Sequence, residues 1–216
     1  ISTGEALVAT SSINHLINNL HNCKFYNLYG ASENQIVTIY EFTSDEDCKI
    51  VPIGKPVSNV KTFILNDKNE LVNDGEVGCL YIASKLLCEG YLNRPELTSE
   101  RFIANPFQTA KERELGKNKR LYKTGDMVRW LADGNIEYIG RNDFQVKIRG
   151  YRIELKEIEV ILEQHGDVAQ AVVIAKKDSA NTKLIAYIVS GEFTPSITEL
   201  KQYIVEKLPE YMTPTY

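Results

Sequence analysis

A chain of 216 residues can hold one large domain or two small ones, and its 43% hydrophobic and 25% charged content is that of an ordinary globular protein. A net charge of −4 supplies no bulk positive field for a nucleic-acid backbone, and no apolar run reaches the length of a membrane span. Cys23, Cys48, Cys79 and Cys88 lack CxxC spacing and His15, His21 and His165 follow no metal-ligand pattern, which disfavours zinc and makes reduced cytosolic thiols the default. No signal peptide is evident, a cytoplasmic location is expected, and a first residue of Ile1 rather than Met suggests a piece cut from something larger.

In chain order, residues 12–20 read as a short helix capped by Ser12, with Ile13, Leu16, Ile17 and Leu20 on one face. KFYNLY and IVTIYEF read as two strands around the loop Gly30-Ala31-Ser32-Glu33. VKTFILN and EVGCLYIAS form a second pair across the polar DKNE turn. Pro95 suits the first turn of a short helix, and Asp133-Gly134 signals a hairpin between RLYKTGDMVRWL and NIEYIG. Most of residues 24–142 is therefore expected to be strand-rich, as a small barrel or twisted sheet.

The pattern changes near Asp143. Beyond it the expected order is strand, helix (about 155–165), strand (AVVIAKK), strand (LIAYIVS) and helix (about 197–207), the last opening on the capping box Ser196-Ile197-Thr198-Glu199. The fold class expected is α+β: a strand-rich barrel or sheet over 1–142, followed by a small α+β lobe over 143–216. The Leu155, Ile158, Ile161 and Leu162 stripe reads as a core face, and Trp130 as packing.

Two segments carry chemistry. GRNDFQVKIRGYRIELKEIE, Gly140 to Glu159, spaces Arg141, Lys147, Arg149 and Arg152 along an alternating, strand-like run that passes through Gly150 into an amphipathic helix. Spaced cations suit phosphate contact. Upstream, Tyr122-Lys123-Thr124-Gly125-Asp126 puts an acidic residue in a Gly turn, where one carboxylate can accept from both hydroxyls of a sugar. Together they point to a nucleotide; separately each reads as an exposed basic strand and an ordinary turn. Asn27-Leu28-Tyr29-Gly30-Ala31-Ser32-Glu33 adds an aromatic, a glycine, a hydroxyl and a carboxylate on one loop, able to stack a base, admit a ligand close to the backbone and hold a cation.

These segments, with GEAL (Gly4 to Leu7), IGKP (Ile53 to Pro56), GYLNRPELTSERF (Gly90 to Phe102) and LPEYMTP (Leu208 to Pro214), resemble the adenylation domain of a nonribosomal peptide synthetase, within the superfamily of adenylate-forming enzymes. The matches span essentially the whole chain, in the family's order. The resemblance implies that 1–142 is the later part of the large subdomain and 143–216 a small mobile subdomain. The family's phosphate loop falls upstream of Ile1 and its catalytic lysine beyond Tyr216, so the isolated chain is expected to be inactive.

The resemblance implies the following roles. Tyr29 stacks on adenine, Asp126 binds the ribose hydroxyls, Arg141 supports the same nucleotide, and Gly30, Ser32 and Tyr138 lie beside it. Glu33 is the Mg²⁺ ligand. Ile1, Thr3, Leu28, Ile36 and Val37 match the substrate pocket, and their uncharged character favours a neutral amino acid. Asp143 is the hinge, and Lys147 and Gly150 belong to the loop that lines the path of a thiol. The implied cofactors are ATP, Mg²⁺ and phosphopantetheine on the partner. The implied partners are an amino acid, a peptidyl carrier protein domain and neighbouring synthetase domains, without nucleic acid or membrane. Two departures stand out: Lys156 replaces a usual Gly, and SKLLCEGYL lacks extra glycines before Gly90-Tyr91. An acyl- or aryl-acid ligase of CoA or a carrier, and a non-catalytic docking module of a synthetase, are the alternatives.

Overall fold

A computed structural model describes residues 7–20, 23–42, 50–143, 145–148, 150–178 and 181–216. The chain divides into two compact units, Ile1–Asn142 and Asp143–Tyr216.

The first unit opens with helix α1 (Ser11–Asn19), capped by Thr10, whose hydroxyl accepts from the Ile13 N–H at 3.3 Å. The cap is thus two residues earlier than Ser12; three successive hydroxyl residues are equivalent caps by sequence, and the backbone of Thr10 is the extended one. Strands β1 (Phe25–Ala31), β2 (Gln35–Phe42) and β3 (Lys55–Pro56) form an antiparallel sheet in that order. A second sheet follows from β4 (Val60–Leu65), β5 (Gly78–Ser84), β6 (Phe102–Ala104), β7 (Arg120–Trp130) and β8 (Ile136–Arg141), with order β4-β5-β7-β6 and β8 also on β7. Helix α2 (Pro95–Arg101), with Pro95 in its first turn, leads into β6, and α3 (Ala110–Glu114) precedes β7. Of barrel and sheet, the described residues take the sheet.

The long strand β7 organises this unit. One of its edges carries β5; the other is shared, with β6 along Arg120 to Tyr122 and β8 along Asp126 to Trp130. Every residue of β5 is buried, because alternate side chains feed two cores. Leu80 and Ile82 pack with Tyr29, Val37, Ile64, Tyr122 and Ile136, while Cys79, Tyr81 and Ala83 pack with Leu65 and Leu121. Trp130 lies against the first of these cores.

In the second unit β9 (Gln145–Ile148) and β10 (Tyr151–Glu154) pair antiparallel, followed by α4 (Leu155–Glu163), the antiparallel pair β11 (Val168–Asp178) and β12 (Asn181–Ser190), α5 (Ile197–Val205) and a 3-10 turn at Glu210–Met212. The basic run is therefore a hairpin turning at Gly150 (φ +83°), and the helix begins only after a second strand. Leu155, Ile158 and Leu162 face the core with Val173, Leu184, Ile204 and Leu208, and Ile161 packs against it. Burying each such side chain stabilises by about 1.5–3 kcal/mol. The Ser196–Glu199 capping box on α5 is present in both directions. The architecture is α+β. Among the described residues no helix is long and apolar enough to cross a membrane.

Candidate functional site

The pairing of β5 with β7 breaks its register at the YKTGD motif: Cys79 faces Met127 and Tyr81 faces Lys123, so Thr124, Gly125 and Asp126 together oppose Leu80. This is a bulge, a device that re-aims a side chain. The Thr124 hydroxyl anchors it, donating to the Leu80 carbonyl at 2.9 Å and accepting from the Asp126 N–H at 3.0 Å. Directly opposite Asp126 across the β7–β8 ladder stands Arg141. Its Nη1 donates to Asp126 Oδ1 at 2.7 Å and its Nη2 to the Thr124 carbonyl at 3.0 Å.

The other oxygen of Asp126 accepts from the Tyr29 hydroxyl, which arrives from the first sheet. Tyr29 and Asp126 are only 6% and 3% exposed, so this three-residue cluster is closed to solvent. Burial first, and then the negative charge of Asp126, pushes the Tyr29 hydroxyl well above the ordinary tyrosine range, which keeps it a donor.

Past Tyr29 the chain makes a tight hairpin. Gly30 is required there: a Cβ on it would lie 1.8 Å from the Gln35 carbonyl oxygen. The register slips between Tyr29 and Gly30, leaving Val37 as an extra residue on β2. That slip explains why Val37 and Thr38 are both buried, interrupting the strand's alternation. Glu33 sits in the turn, 7% exposed, its Oε1 accepting from the Tyr91 hydroxyl at 2.6 Å. Burial and this bond raise the Tyr91 hydroxyl far above its usual range. Ser32 is exposed. Asn34 is fully buried, and neither atom of its amide is hydrogen-bonded.

The remaining expected positions scatter. Tyr138 lies on β8 opposite Val128, partly buried against the core that contains Tyr29. Leu28 borders an apolar cavity of about 510 Å³ beneath α1, with Leu16, Leu20, Phe25 and Phe42. Ile36 is exposed, Val37 belongs to the core, and Ile1 and Thr3 lie outside the described residues. In the second unit Asp143 Oδ1 accepts from the Gln145 N–H at 3.2 Å. Lys147 pairs with Arg152 along the hairpin backbone, and Arg149 lies outside the described residues. Arg152 Nε donates to Gln145 Oε1 at 2.7 Å. Tyr91 was missed as part of the site; it is 58 residues from Glu33, with no local signal for the pairing.

Comparison with known proteins bears on the family. Residues 2–92 match the model of the AMP-binding enzyme family and residues 157–216 that of the AMP-binding enzyme C-terminal domain. The chain is 42% identical over 217 residues to gramicidin S synthase 2 of Brevibacillus brevis, covering all of this chain and 5% of that protein. It is 44% identical over 198 residues to bacitracin synthase 3 of Bacillus licheniformis, covering 91% of this chain and 3% of that one. Among solved structures, an artificially fused adenylation–PCP di-domain of a nonribosomal peptide synthetase, NpsA-ThdA from Klebsiella oxytoca, superposes with a TM-score of 0.80 at 28% identity. That match covers 99% of this chain and 38% of the other. The chain thus spans about a twentieth or less of the length of these curated relatives. With both parts of the family matched in order and the Tyr29, Asp126 and Arg141 side chains gathered at one point, this chain belongs to the AMP-binding enzymes, as a stretch of an adenylation domain of the nonribosomal peptide synthetase type.

Proposed function

We propose that the protein to which this chain belongs activates the carboxyl group of an amino acid as its adenylate and then passes the acyl group to a carrier-domain thiol. The observation that carries this reading is the delivery of one buried carboxylate, Asp126, by a bulge to a point where Tyr29 and Arg141 meet it. A carboxylate has about four acceptor positions, and two are used here. The other two suit the vicinal hydroxyls of a ribose. Because the cluster is closed, nucleotide entry displaces the Tyr29 hydroxyl, and the freed ring turns its face to the adenine. Arg141 keeps Asp126 aimed throughout.

In the first reaction a carboxylate oxygen of the substrate attacks the α-phosphorus of ATP; the bond to the bridging oxygen breaks and pyrophosphate departs with the electron pair. An anion attacks a polyanion here, so charge neutralisation and positioning dominate. Glu33 suits a magnesium ion: a hard cation held by one carboxylate plus substrate phosphates needs no cage of acidic residues. Among the described residues no group of three or more His, Cys, Asp or Glu forms such a cage. The orphaned, buried amide of Asn34 beside Glu33 supplies a further polar group without a partner. When bound, the ion would neutralise developing charge on the phosphates.

In the second reaction a thiol sulfur attacks the acyl carbon and AMP leaves. Here Asp143 acts as the hinge, and the Gly150 hairpin with Lys147 lines the thiol's path. The solved relative named as an adenylation–PCP di-domain supports the carrier partner. The resemblance assigns Leu28, Ile36 and Val37 to the substrate pocket, and their uncharged side chains favour a neutral amino acid because a substrate charge buried against them would find no partner. The test is pyrophosphate exchange into ATP by the full-length protein over a panel of acids. Neutral amino acids should support exchange, and Asp, Glu, Lys and Arg should not. Exchange driven only by fatty or aryl acids overturns the amino-acid reading.

A further inference from the structure

We infer that Tyr91 is a positioning residue for the metal-binding carboxylate Glu33, held in place by a clip built from the Cys88–Tyr91 segment, Thr98 and Arg120. The inference rests on the reading of Glu33 as the magnesium ligand and extends it to residues that do not themselves touch the substrate.

The segment meets Glu33 twice. The Tyr91 hydroxyl donates to Oε1 at 2.6 Å, and the Cys88 N–H donates to the Glu33 carbonyl at 3.0 Å, so side chain and backbone of the same residue are both fixed. Tyr91 is in turn held from both ends. Its N–H donates to the Thr98 hydroxyl at 2.9 Å, and that hydroxyl donates onward to the Arg94 carbonyl at 2.8 Å. Its ring packs edge-on against Phe102 with centroids 5.6 Å apart.

Thr98 comes so close that a Cβ on Gly90 would lie 2.4 Å from its methyl group; the residue before Tyr91 must therefore be glycine for this contact to exist. Arg120 closes the clip. Its Nη1 donates to the Glu89 carbonyl at 2.7 Å and its Nη2 to the Cys88 carbonyl at 3.0 Å, with the guanidinium over the Phe102 ring at 5.3 Å. This is the stretch that lacks the family's extra glycines, and here it is anchored by hydrogen bonds instead. Rotation of the Glu33 carboxylate would break its bond to Tyr91, and a ligand fixed before the metal arrives loses less freedom on binding.

The experiment uses the full-length protein and the variants Tyr91→Phe, Thr98→Ala and Glu33→Gln. Two readouts are taken: the Mg²⁺ dependence of pyrophosphate exchange, and calorimetric titration of Mn²⁺ into the nucleotide-bound protein. Tyr91→Phe should weaken metal binding about 10-fold, the lower end of what losing a partner of a metal ligand costs, with the KM for amino acid unchanged. Thr98→Ala should move the metal affinity the same way by less, which keeps the idea testable should the phenylalanine variant fold poorly. Glu33→Gln should cost the most. Unchanged metal affinity in Tyr91→Phe beside a large loss in Glu33→Gln overturns the positioning role alone. Unchanged affinity in Glu33→Gln overturns the metal reading beneath it. Equal losses in metal affinity and amino-acid KM mean that Tyr91 merely supports the fold.

Discussion

The two units carry their polar residues in opposite ways. In Ile1–Asn142 the polar side chains of interest are inside: Asp126, Glu33 and Tyr29 are buried, and each is met by partners from distant strands or loops. In Asp143–Tyr216 the one polar side chain buried among the described residues is Gln145, and its partners Arg152 and Glu154 lie on the same short hairpin. A buried polar network is rigid and costly to break, because each lost partner leaves a desolvated group. Polar partners confined to one hairpin can move with it without breaking long-range bonds. The first arrangement suits the proposed nucleotide site, where Arg141 fixes Asp126 and only the Tyr29 hydroxyl has to give way. The second suits the contact changes proposed between the two reactions.

Removing the centre of the buried cluster should have the largest effect. Asp126→Ala strands the Arg141 guanidinium, whose side chain is 8% exposed, and breaking a buried ion pair this way costs about 3–5 kcal/mol of stability. It also removes the proposed ribose acceptor, worth about 1.5–3 kcal/mol. Thermal unfolding and separate titrations of ATP and amino acid should show a lowered Tm and a selective loss of ATP affinity. A neutral outcome in both would make Asp126 a turn residue and erase the contrast between the units.

A gentler change sharpens the same point. Tyr29→Phe keeps the ring in the core but leaves one oxygen of Asp126 without its donor, which should lower stability by about 1–3 kcal/mol. If the nucleotide displaces this hydroxyl, ATP affinity should rise while stability falls, since the variant no longer has to break that bond on binding. An unchanged affinity beside the lowered stability would mean that Tyr29 and the ribose hold Asp126 together rather than in turn.

Local signals were legible in the sequence and long-range partnerships were not. The Ser196–Glu199 box, the Asp133-Gly134 hairpin, Pro95 at its helix start and the Leu155–Leu162 stripe are each set by residues within one or two turns of one another, and each is present. The box Thr109–Glu112 on α3 had the same signature and went unread. The hairpin at Gly150 was hidden because basic residues stand on both sides of the turn, with Gly150 as the only turn signal between Lys147 and Arg152. The resemblance picked out Tyr29, Asp126 and Arg141 as a set, but not their closure on one another; that depends on a register slip opposite Leu80, to which only Gly125 hints. The bond from Tyr91 to Glu33 has no sequence trace at all.

The proposed hinge tests the second half of the contrast. Proline fixes φ and removes an N–H, so Asp143→Pro should permit only one of two backbone arrangements at the start of the second unit, whereas Asp143→Ala leaves the backbone free. Pyrophosphate exchange should survive in part, while loading of the carrier thiol should fall further, by about tenfold or 1.4 kcal/mol. Equal losses in both half-reactions would mean damage to the fold. No loss in either would place the hinge elsewhere.

The smallest effect should come from a polar network in the first unit that is not buried in its core, which separates burial from polarity as the cause of the contrast. Glu112 caps α3, accepting from the Thr109 N–H at 2.9 Å, and it also meets Lys61 Nζ at 2.8 Å and the Asn118 amide at 2.6 Å. The bond from Lys61, followed by that from the Thr109 backbone, holds its carboxyl down to about 2. A folded-state pKa below the unfolded one means the ionised form is the stabilising form. Its contribution is complete above the ordinary glutamate range near 4.5 and is lost as the pH falls toward 2. Glu112→Gln should therefore lower the Tm slightly at pH 7, and the gap between mutant and wild type should close as the pH is taken down to 3. A gap as wide as that for Tyr29→Phe would mean that solvated networks in this unit matter as much as buried ones. A gap that widens in acid would mean that the carboxyl is protonated, not ionised, when it caps the helix.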